Sequence, residues 1–527
     1  MFNLVISGGT VVDGTGAPAF KADVGVAEGR VALVAGRIEQ EAARVIDARG
    51  LHVAPGFIDP HTHSDLTLLA DPLAQSKVRQ GVTTEVIGNC GYSPAPVVGA
   101  ALDEVTADAA PLDVRVTWST MAGYFGSLVH QGISVNVVAL VGHNTVRGCV
   151  LGYGDRQPSA EEQAAMERLT ERALDEGARG VSTGLFYPPG FYAGTDEVVG
   201  LARRTAVRGG VYASHIRSEG DAVLEAVAEA LAIGERSGAF VEISHLKLSG
   251  PRNPGMLDRL FTLLDEGVQS GVHFGCDQYP YAASSTWLIA MLPYWAQAGG
   301  AAVVARRLAD PAVRTRLRRD WDEDRDGWKD RSGVDSWTKI VVSDCRVRPD
   351  VAGKSIAEIA VADGADPLET ALDLIAISDG QVDCVWLDQS EDNVRAILCH
   401  PLVVVGSDGE AMSADSPVGG GQPHPRSYGT FPRVLARYVR EQRALSLEEA
   451  VRKMTSLTAA RFGLTDRGVV CAGARADLVV FDADRVADRA TFDEPRRYPD
   501  GVPYVIVNGV PVVDEGQHTG MRPGRVL

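Results

Sequence analysis

The middle of this chain is organised by eight short apolar runs, each closing on polar or glycine-rich residues. They cover residues 56–59, 83–87, 134–141, 178–183, 210–214, 240–244, 272–276 and 402–406. Amphipathic stretches such as 160–176 and 221–237 lie between them. Strands that alternate with helical stretches indicate βαβ units and a parallel sheet. Eight such units suit an α/β fold, a (β/α)8 TIM-like barrel, here over residues 55–464. A doubly wound open sheet would show fewer strands and a glycine-rich phosphate loop after the first. Neither feature is present.

The two ends read differently. Leu4-Val5-Ile6 runs into Gly8-Gly9, and Asp13-Gly14 marks a turn. Near the other end, Leu478-Val479-Val480-Phe481 and Tyr504-Val505-Ile506-Val507 look like strands, with Asn508-Gly509 as a hairpin turn. The expectation is one small β-sandwich domain formed by both termini, residues 1–54 plus 465–527. The gap from Tyr281 to Leu402 is too long for one crossover. It is expected to hold an insertion between strands 7 and 8, with residues 283–345 as its body. Its charged stretch, 318–326, reads equally as part of a lid or as a solvated helical surface.

Charge and cysteine usage remove several function classes. The 527 residues carry 51 basic and 69 acidic side chains, a net charge of −18. Phosphate contacts need basic surface, so a general nucleic-acid partner is excluded. The seven cysteines are scattered with no CxxC, which argues against a disulfide framework and for a reducing compartment. No run approaches 18 uninterrupted apolar residues, so no membrane span is expected. The opening residues lack the pattern of a secretory signal. A cytoplasmic location is the expectation. The sequence does not report the oligomeric state.

In a barrel the active site is built where the strands end. Strand 1 ends in His61-Thr62-His63, strand 2 in Asn89-Cys90-Gly91 and strand 3 in Gly142-His143-Asn144. Strands 5 and 6 end in His215 and His245, strand 7 in Cys276-Asp277, and strand 8 in Ser407-Asp408-Gly409. Five of the chain's 11 histidines occupy such ends, a clustering that chance does not explain. Residues i and i+2 of a strand share a face, so His61 and His63 can share a metal. Together His61, His63, Cys90, His215, His245 and Asp408 indicate a metal site. Imidazoles with one thiolate or carboxylate suit zinc.

The segment Pro55-Gly56-Phe57-Ile58-Asp59-Pro60-His61-Thr62-His63 resembles the first-strand signature of the amidohydrolase superfamily. Gly88-Asn89-Cys90-Gly91, Gly142-His143-Asn144-Thr145, Ala213-Ser214-His215-Ile216-Arg217, Ser407-Asp408-Gly409 and His424-Pro425-Arg426 narrow the match. Together they resemble the D-aminoacylase (N-acyl-D-amino-acid deacylase) family over nearly the whole chain. The resemblance implies an amidohydrolase-type barrel and zinc-dependent hydrolysis of the amide bond of N-acyl-D-amino acids. It also implies that Cys90, His215 and His245 hold one zinc tightly. His61, His63 and Asp408 match a second, weaker metal position, and Asp408 matches the catalytic acid/base. No lysine stands at a matching strand end, so Cys90 takes the place that a carboxylated lysine fills in many amidohydrolases.

Zinc in such a site activates water and polarises an amide carbonyl. Asp408 then takes the water proton and returns it to the departing amine. His143 is a candidate oxyanion contact or a structural cap of its strand. The partner expected is a small N-acyl amino acid, whose α-carboxylate calls for cations and hydroxyls. Lys247 and Arg426 are the candidate cations. Tyr187, Tyr192, Tyr281 and Ser284 are the candidate hydroxyls, and Arg217 reads as a substrate contact or a salt bridge. Two departures from the family pattern touch the acyl or side-chain pocket: a longer segment after Asp408, over 410–421, and the stretch 246–254 with Asn253. A different amide, cyclic or dipeptide-like, is the alternative substrate. A non-catalytic binding protein is disfavoured because all six candidate ligands are present.

Overall fold

A computed structural model describes the chain except for residues 251–254, 326, 327, 329–335, 417 and 419. Asn253 and part of the segment after Asp408 therefore lie outside the described residues. Eight barrel strands follow one another in sequence. They are Phe57–Asp59, Val82–Ile87, Asn136–Ala139, Gly180–Gly184, Val211–His215, Phe240–Ile243, Phe274–Gln278 and Val403–Val405. Each overlaps one of the eight apolar runs, and every pairing between neighbours is parallel. Two arcs make up the ring, joined at Leu140, where strand 3 continues as Val141–Gly142.

The ring closes between strands 1 and 8. The Asp408 amide donates to His61 O at 2.8 Å, and the His63 amide donates to Gly409 O at 3.0 Å. Beneath these bonds Asp59 accepts from the Ser407 amide at 2.9 Å and from Lys77 Nζ at 3.0 Å, while Lys77 also donates to Ser407 Oγ at 2.7 Å. Lys77 and Asp59 are fully buried, so each charge depends on the other. Ile58, Val86, Val138, Leu140, Val211 and Ala213 form a small separate core. A larger core packs the strands against the helices, with Val181, Tyr212 and Val241 meeting Val198, Val227 and Leu264. Helix Ala160–Asp175 starts on a capping box between Ser159 and Glu162, which satisfies amides that the first turn leaves unpaired.

The two ends of the chain meet in one continuous nine-stranded sheet. The seam is antiparallel, between His52–Pro55 and Leu478–Phe481. The hairpin of Tyr504–Val507 and Val510–Asp514 turns on Asn508 (φ 50°) and Gly509 (φ 82°). A two-residue turn of this kind needs positive φ at both positions, which the Asn-Gly pair tolerates.

Between strands 7 and 8 the chain builds a unit with its own core, running from Leu288 to Trp386. Its antiparallel sheet orders Ser284–Trp287, Asp383–Trp386 and Ile340–Asp344. The unit thus extends past residue 345, because its central strand comes from residues 383–386. The charged stretch falls largely in helix Pro311–Asp322, where Arg314 and Arg318 pair with Glu369 at 3.1 and 3.2 Å. Among the described residues no helix is long and apolar enough to cross a membrane.

Candidate metal centre

The strand ends bring their side chains together at one mouth of the barrel. Ligand atoms of His61, Cys90, His245 and Asp408 all lie within 4.8 Å of one another. Cys90 Sγ sits 3.3 Å from His61 Nε2 and 3.4 Å from His245 Nε2. Asp408 Oδ1 lies 3.4 Å from His61 Nε2 and 3.0 Å from His63 Nε2. The His215 ring is 4.4 Å from the His245 ring and forms a second group with Glu219 and His245.

The backbone is bent to make this possible. Cys90, His245 and Asp408 have φ of 53°, 35° and 51°. Such left-handed conformations cost non-glycine residues about 1 kcal/mol or more each and cluster at functional sites. The glycine after Cys90 has a steric reason. A Cβ on Gly91 would stand 2.4 Å from Asn144 Oδ1 and 2.5 Å from the Gly184 amide.

Carboxylates orient two of the imidazoles. His61 Nδ1 faces Asp277 Oδ2 at 3.3 Å, and His245 Nδ1 faces Glu219 Oε1 at 2.8 Å. When Nδ1–H donates to a carboxylate, the Nε2 lone pair is free, and both Nε2 atoms point at Cys90. Asp277 also accepts the His245 amide at 2.9 Å, so it fixes two ligand positions at once. Both ring nitrogens of the buried His215 lack a hydrogen-bond partner. A thiol, several imidazoles and a carboxylate that face one another in this way fit a zinc-type cation.

Electrostatics push Cys90 and Asp408 toward their ionised, ligating forms, in both cases against burial. Burial alone raises the Cys90 thiol, but the His61 and His245 charges overcome it and hold it well below the usual thiol range. Burial also opposes ionisation of Asp408, yet Arg426, His245 and His61 hold it well below the usual carboxylate range. His63 is pushed up to about 10 against the effect of burial, chiefly through its bond to Asp408. Burial lowers His215, which keeps its imidazole neutral.

The remaining sequence candidates separate into two groups. Arg426 and Tyr187 border the centre. Arg426 Nη1 lies 2.7 Å from Asp408 Oδ2, and the Tyr187 ring lies 4.8 Å from the His215 ring. Lys247 is also adjacent but not free, since it bonds Glu219 and sits 2.7 Å from His245 Nδ1.

The others contact neighbouring residues of the protein, although the buried Tyr281 hydroxyl has no hydrogen-bond partner. His143 Nε2 pairs with Glu197 at 2.7 Å beside Arg147, a contact to a helix side chain and not a cap of its strand. Arg217 grips Glu229 at 2.9 and 3.0 Å and donates to Phe191 O and Ala193 O, which is the salt-bridge alternative. Tyr192 reaches Tyr294 O at 3.4 Å, and Ser284 donates to Asp388 at 3.1 Å. Tyr281 packs its ring 5.3 Å from the His424 ring. The sequence does not single out Glu219 or Asp277 as site residues. Asp277 had a usable signal, being at the end of strand 7. Glu219 lies four residues past His215, beyond the strand end proper.

The amidohydrolase family profile matches residues 44–513. An N-acyl-D-glutamate deacylase of Alcaligenes xylosoxydans xylosoxydans is 41% identical over 527 residues, spanning 100% of this chain and 96% of that protein. The crystal structure of N-acyl-D-glutamate deacylase from Bordetella bronchiseptica, complexed with zinc and a phosphonate that mimics the tetrahedral intermediate, has a TM-score of 0.84. It is 37% identical and is matched over 100% of this chain and 99% of that one. A solved D-aminoacylase with a binuclear metal centre, described by one-metal activation and second-metal attenuation, has a TM-score of 0.83 at 36% identity over 100% of both chains.

Proposed function

The chain belongs to the amidohydrolase family, and from that premise we propose that it is a zinc-dependent deacylase of N-acyl-D-amino acids. Its products are a carboxylate and a free D-amino acid. The observation that carries this reading is the convergence of Cys90, His61 and His245 beside Asp408, with Arg426 at 2.7 Å. Full-length relatives that deacylate N-acyl-D-amino acids support it.

Cys90, His215 and His245 would hold one zinc tightly, and His61, His63 and Asp408 a second, weaker one. Zinc bound there supplies a Lewis acid for the amide carbonyl and lowers the pKa of water. The chain's own groups handle the protons. Asp408 is ionised at neutral pH, so its carboxylate accepts a proton from the attacking water. It then gives that proton to the departing nitrogen, because an amine anion is a poor leaving group. Arg426 steadies Asp408 through Oδ2, leaving Oδ1 toward His61 and His63. The rest of the Arg426 guanidinium offers donors for the substrate α-carboxylate, and it also lies over the Tyr279 ring at 4.9 Å. The seven free cysteines support a cytoplasmic location.

The test is kcat/KM for N-formyl, N-acetyl and N-succinyl derivatives of matched D- and L-amino acids. The proposal expects turnover of D substrates well above their L counterparts. Equal rates for both hands, or hydrolysis confined to cyclic amides, would sink it.

A further inference from the structure

Three aromatic rings from separate parts of the chain meet one another, and one of them, Tyr187, adjoins the centre at His215. Tyr92 follows Cys90 by two residues, Tyr187 follows strand 4, and Trp287 ends the insertion strand Ser284–Trp287. Their centroids are 6.3 Å apart for Tyr92 and Tyr187, 5.6 Å for Tyr92 and Trp287, and 5.8 Å for Tyr187 and Trp287. Both contacts to the indole are edge-on. The cluster is continuous with the metal centre, since Tyr187 and Phe186 pack on either the edge or the face of His215 at 4.8 and 5.6 Å.

The hydroxyls in this wall are already used. Tyr92 Oη donates to Pro188 O at 2.9 Å, and Tyr187 Oη shares a bond with Thr286 Oγ1 at 2.9 Å. What remains to offer is ring surface. Trp287 is 43% exposed, a large apolar side chain left open next to Tyr187, which itself packs on His215. The wall is also fixed in advance. Asn144 Nδ2 holds Gly184 O at 3.2 Å and Tyr187 O at 3.4 Å, while His424 Nε2 meets Ala283 O at 3.1 Å, just before the Trp287 strand. Prepositioned rings accept a flat apolar group at little ordering cost. An acidic group would need a cation there. Of the described cations around the mouth, Lys247 pairs with Glu219 and Arg217 with Glu229, and Arg426, the one assigned to the α-carboxylate, also pairs with Asp408.

We propose that Tyr92, Tyr187 and Trp287 form a specificity wall that takes an aromatic or other flat apolar group of the substrate. The inference rests on the deacylase reading. The group can belong to the amino-acid side chain or to the acyl chain, and both are tested. One arm compares kcat/KM for N-acetyl-D-phenylalanine with N-acetyl-D-alanine. The other compares N-benzoyl-D-alanine with N-acetyl-D-alanine. The wild-type enzyme should favour the aromatic member of at least one pair about tenfold. Trp287→Ala should erase that preference while N-acetyl-D-alanine changes by less than about threefold, and Trp287→Phe should restore most of it. Flat ratios in both arms, or a preference that survives Trp287→Ala, would overturn the wall. Calorimetric binding of the same compounds keeps the two readings apart. If nothing is hydrolysed, the deacylase reading fails, yet a Trp287-dependent binding preference still upholds the wall and its loss still removes it.

Discussion

Around Cys90 the imidazoles are backed by charge: Asp277 lies 3.3 Å behind His61, and Glu219 lies 2.8 Å behind His245. Around Trp287 the contacts are neutral, a Tyr187–Thr286 hydroxyl bond at 2.9 Å and edge-on rings at 5.6 and 5.8 Å. The first region sits on strand ends that close a ring. The second is assembled from loops and an insertion. Buried charges are costly unless matched, so the centre is held to one arrangement. Aromatic contacts are weaker and less directional, so the wall can vary its partners at small cost. One barrel can thus keep its chemistry while the loops above change what it accepts.

The largest expected effect breaks the centre alone. Asp408→Asn keeps the shape but removes the group that carries the proton. Turnover should fall by about 10²–10⁴, the usual worth of a positioned acid/base. Zinc content should stay near the wild-type value, because Cys90, His215 and His245 are untouched. Retained turnover, followed alongside metal analysis, would take Asp408 out of the proton-carrying role.

The next prediction concerns the frame under the centre. Lys77→Met leaves Asp59 charged and buried without its partner. Breaking such a pair costs about 3–5 kcal/mol. The urea midpoint of unfolding should drop accordingly, since the pair bridges strands 1 and 8. A midpoint within error of wild type would mean that the backbone bonds to Asp408 and His63 close the ring unaided.

Glu219→Gln is smaller and separates orientation from ligation. The amide can still accept from His245 Nδ1, but it no longer balances Lys247. Zinc affinity should weaken about 10–100-fold, in line with other groups that orient metal-binding histidines. Competition with a chelator measures it. An unchanged affinity would show that Asp277 alone orients the cluster through His61 and the His245 amide.

The same contrast explains what could be read from sequence. Parallel strands are buried on both faces, so all eight announce themselves as short apolar runs. A barrel also places function at strand ends, and His61, Cys90, His215, His245 and Asp408 stand at such ends in the chain itself. Pairing between distant charges leaves no comparable trace. Nothing near Lys247 shows that Glu219, 28 residues earlier, is bonded to it, or that Arg426 faces Asp408. The insertion is legible as a gap too long for one crossover, but its internal pairing is not. Ser284 pairs with Trp386 across about a hundred residues, and no local pattern records that register.

The smallest prediction probes how the wall is attached. Thr286→Val removes one hydroxyl of nearly the same shape and frees Tyr187 Oη. A single neutral bond contributes about 1 kcal/mol, and half-buried groups recover part of that from water. Global stability should therefore move little. The wall's position should move more, because this bond joins the insertion strand to the loop after strand 4. The expected result is a two- to fivefold rise in KM for the favoured aromatic substrate, with kcat nearly unchanged, as for lost uniform binding. A fall in kcat with KM constant would place Thr286 in the service of the metal centre instead. That outcome would merge the two regions, since a neutral contact of the wall would then be setting the geometry of the charged floor.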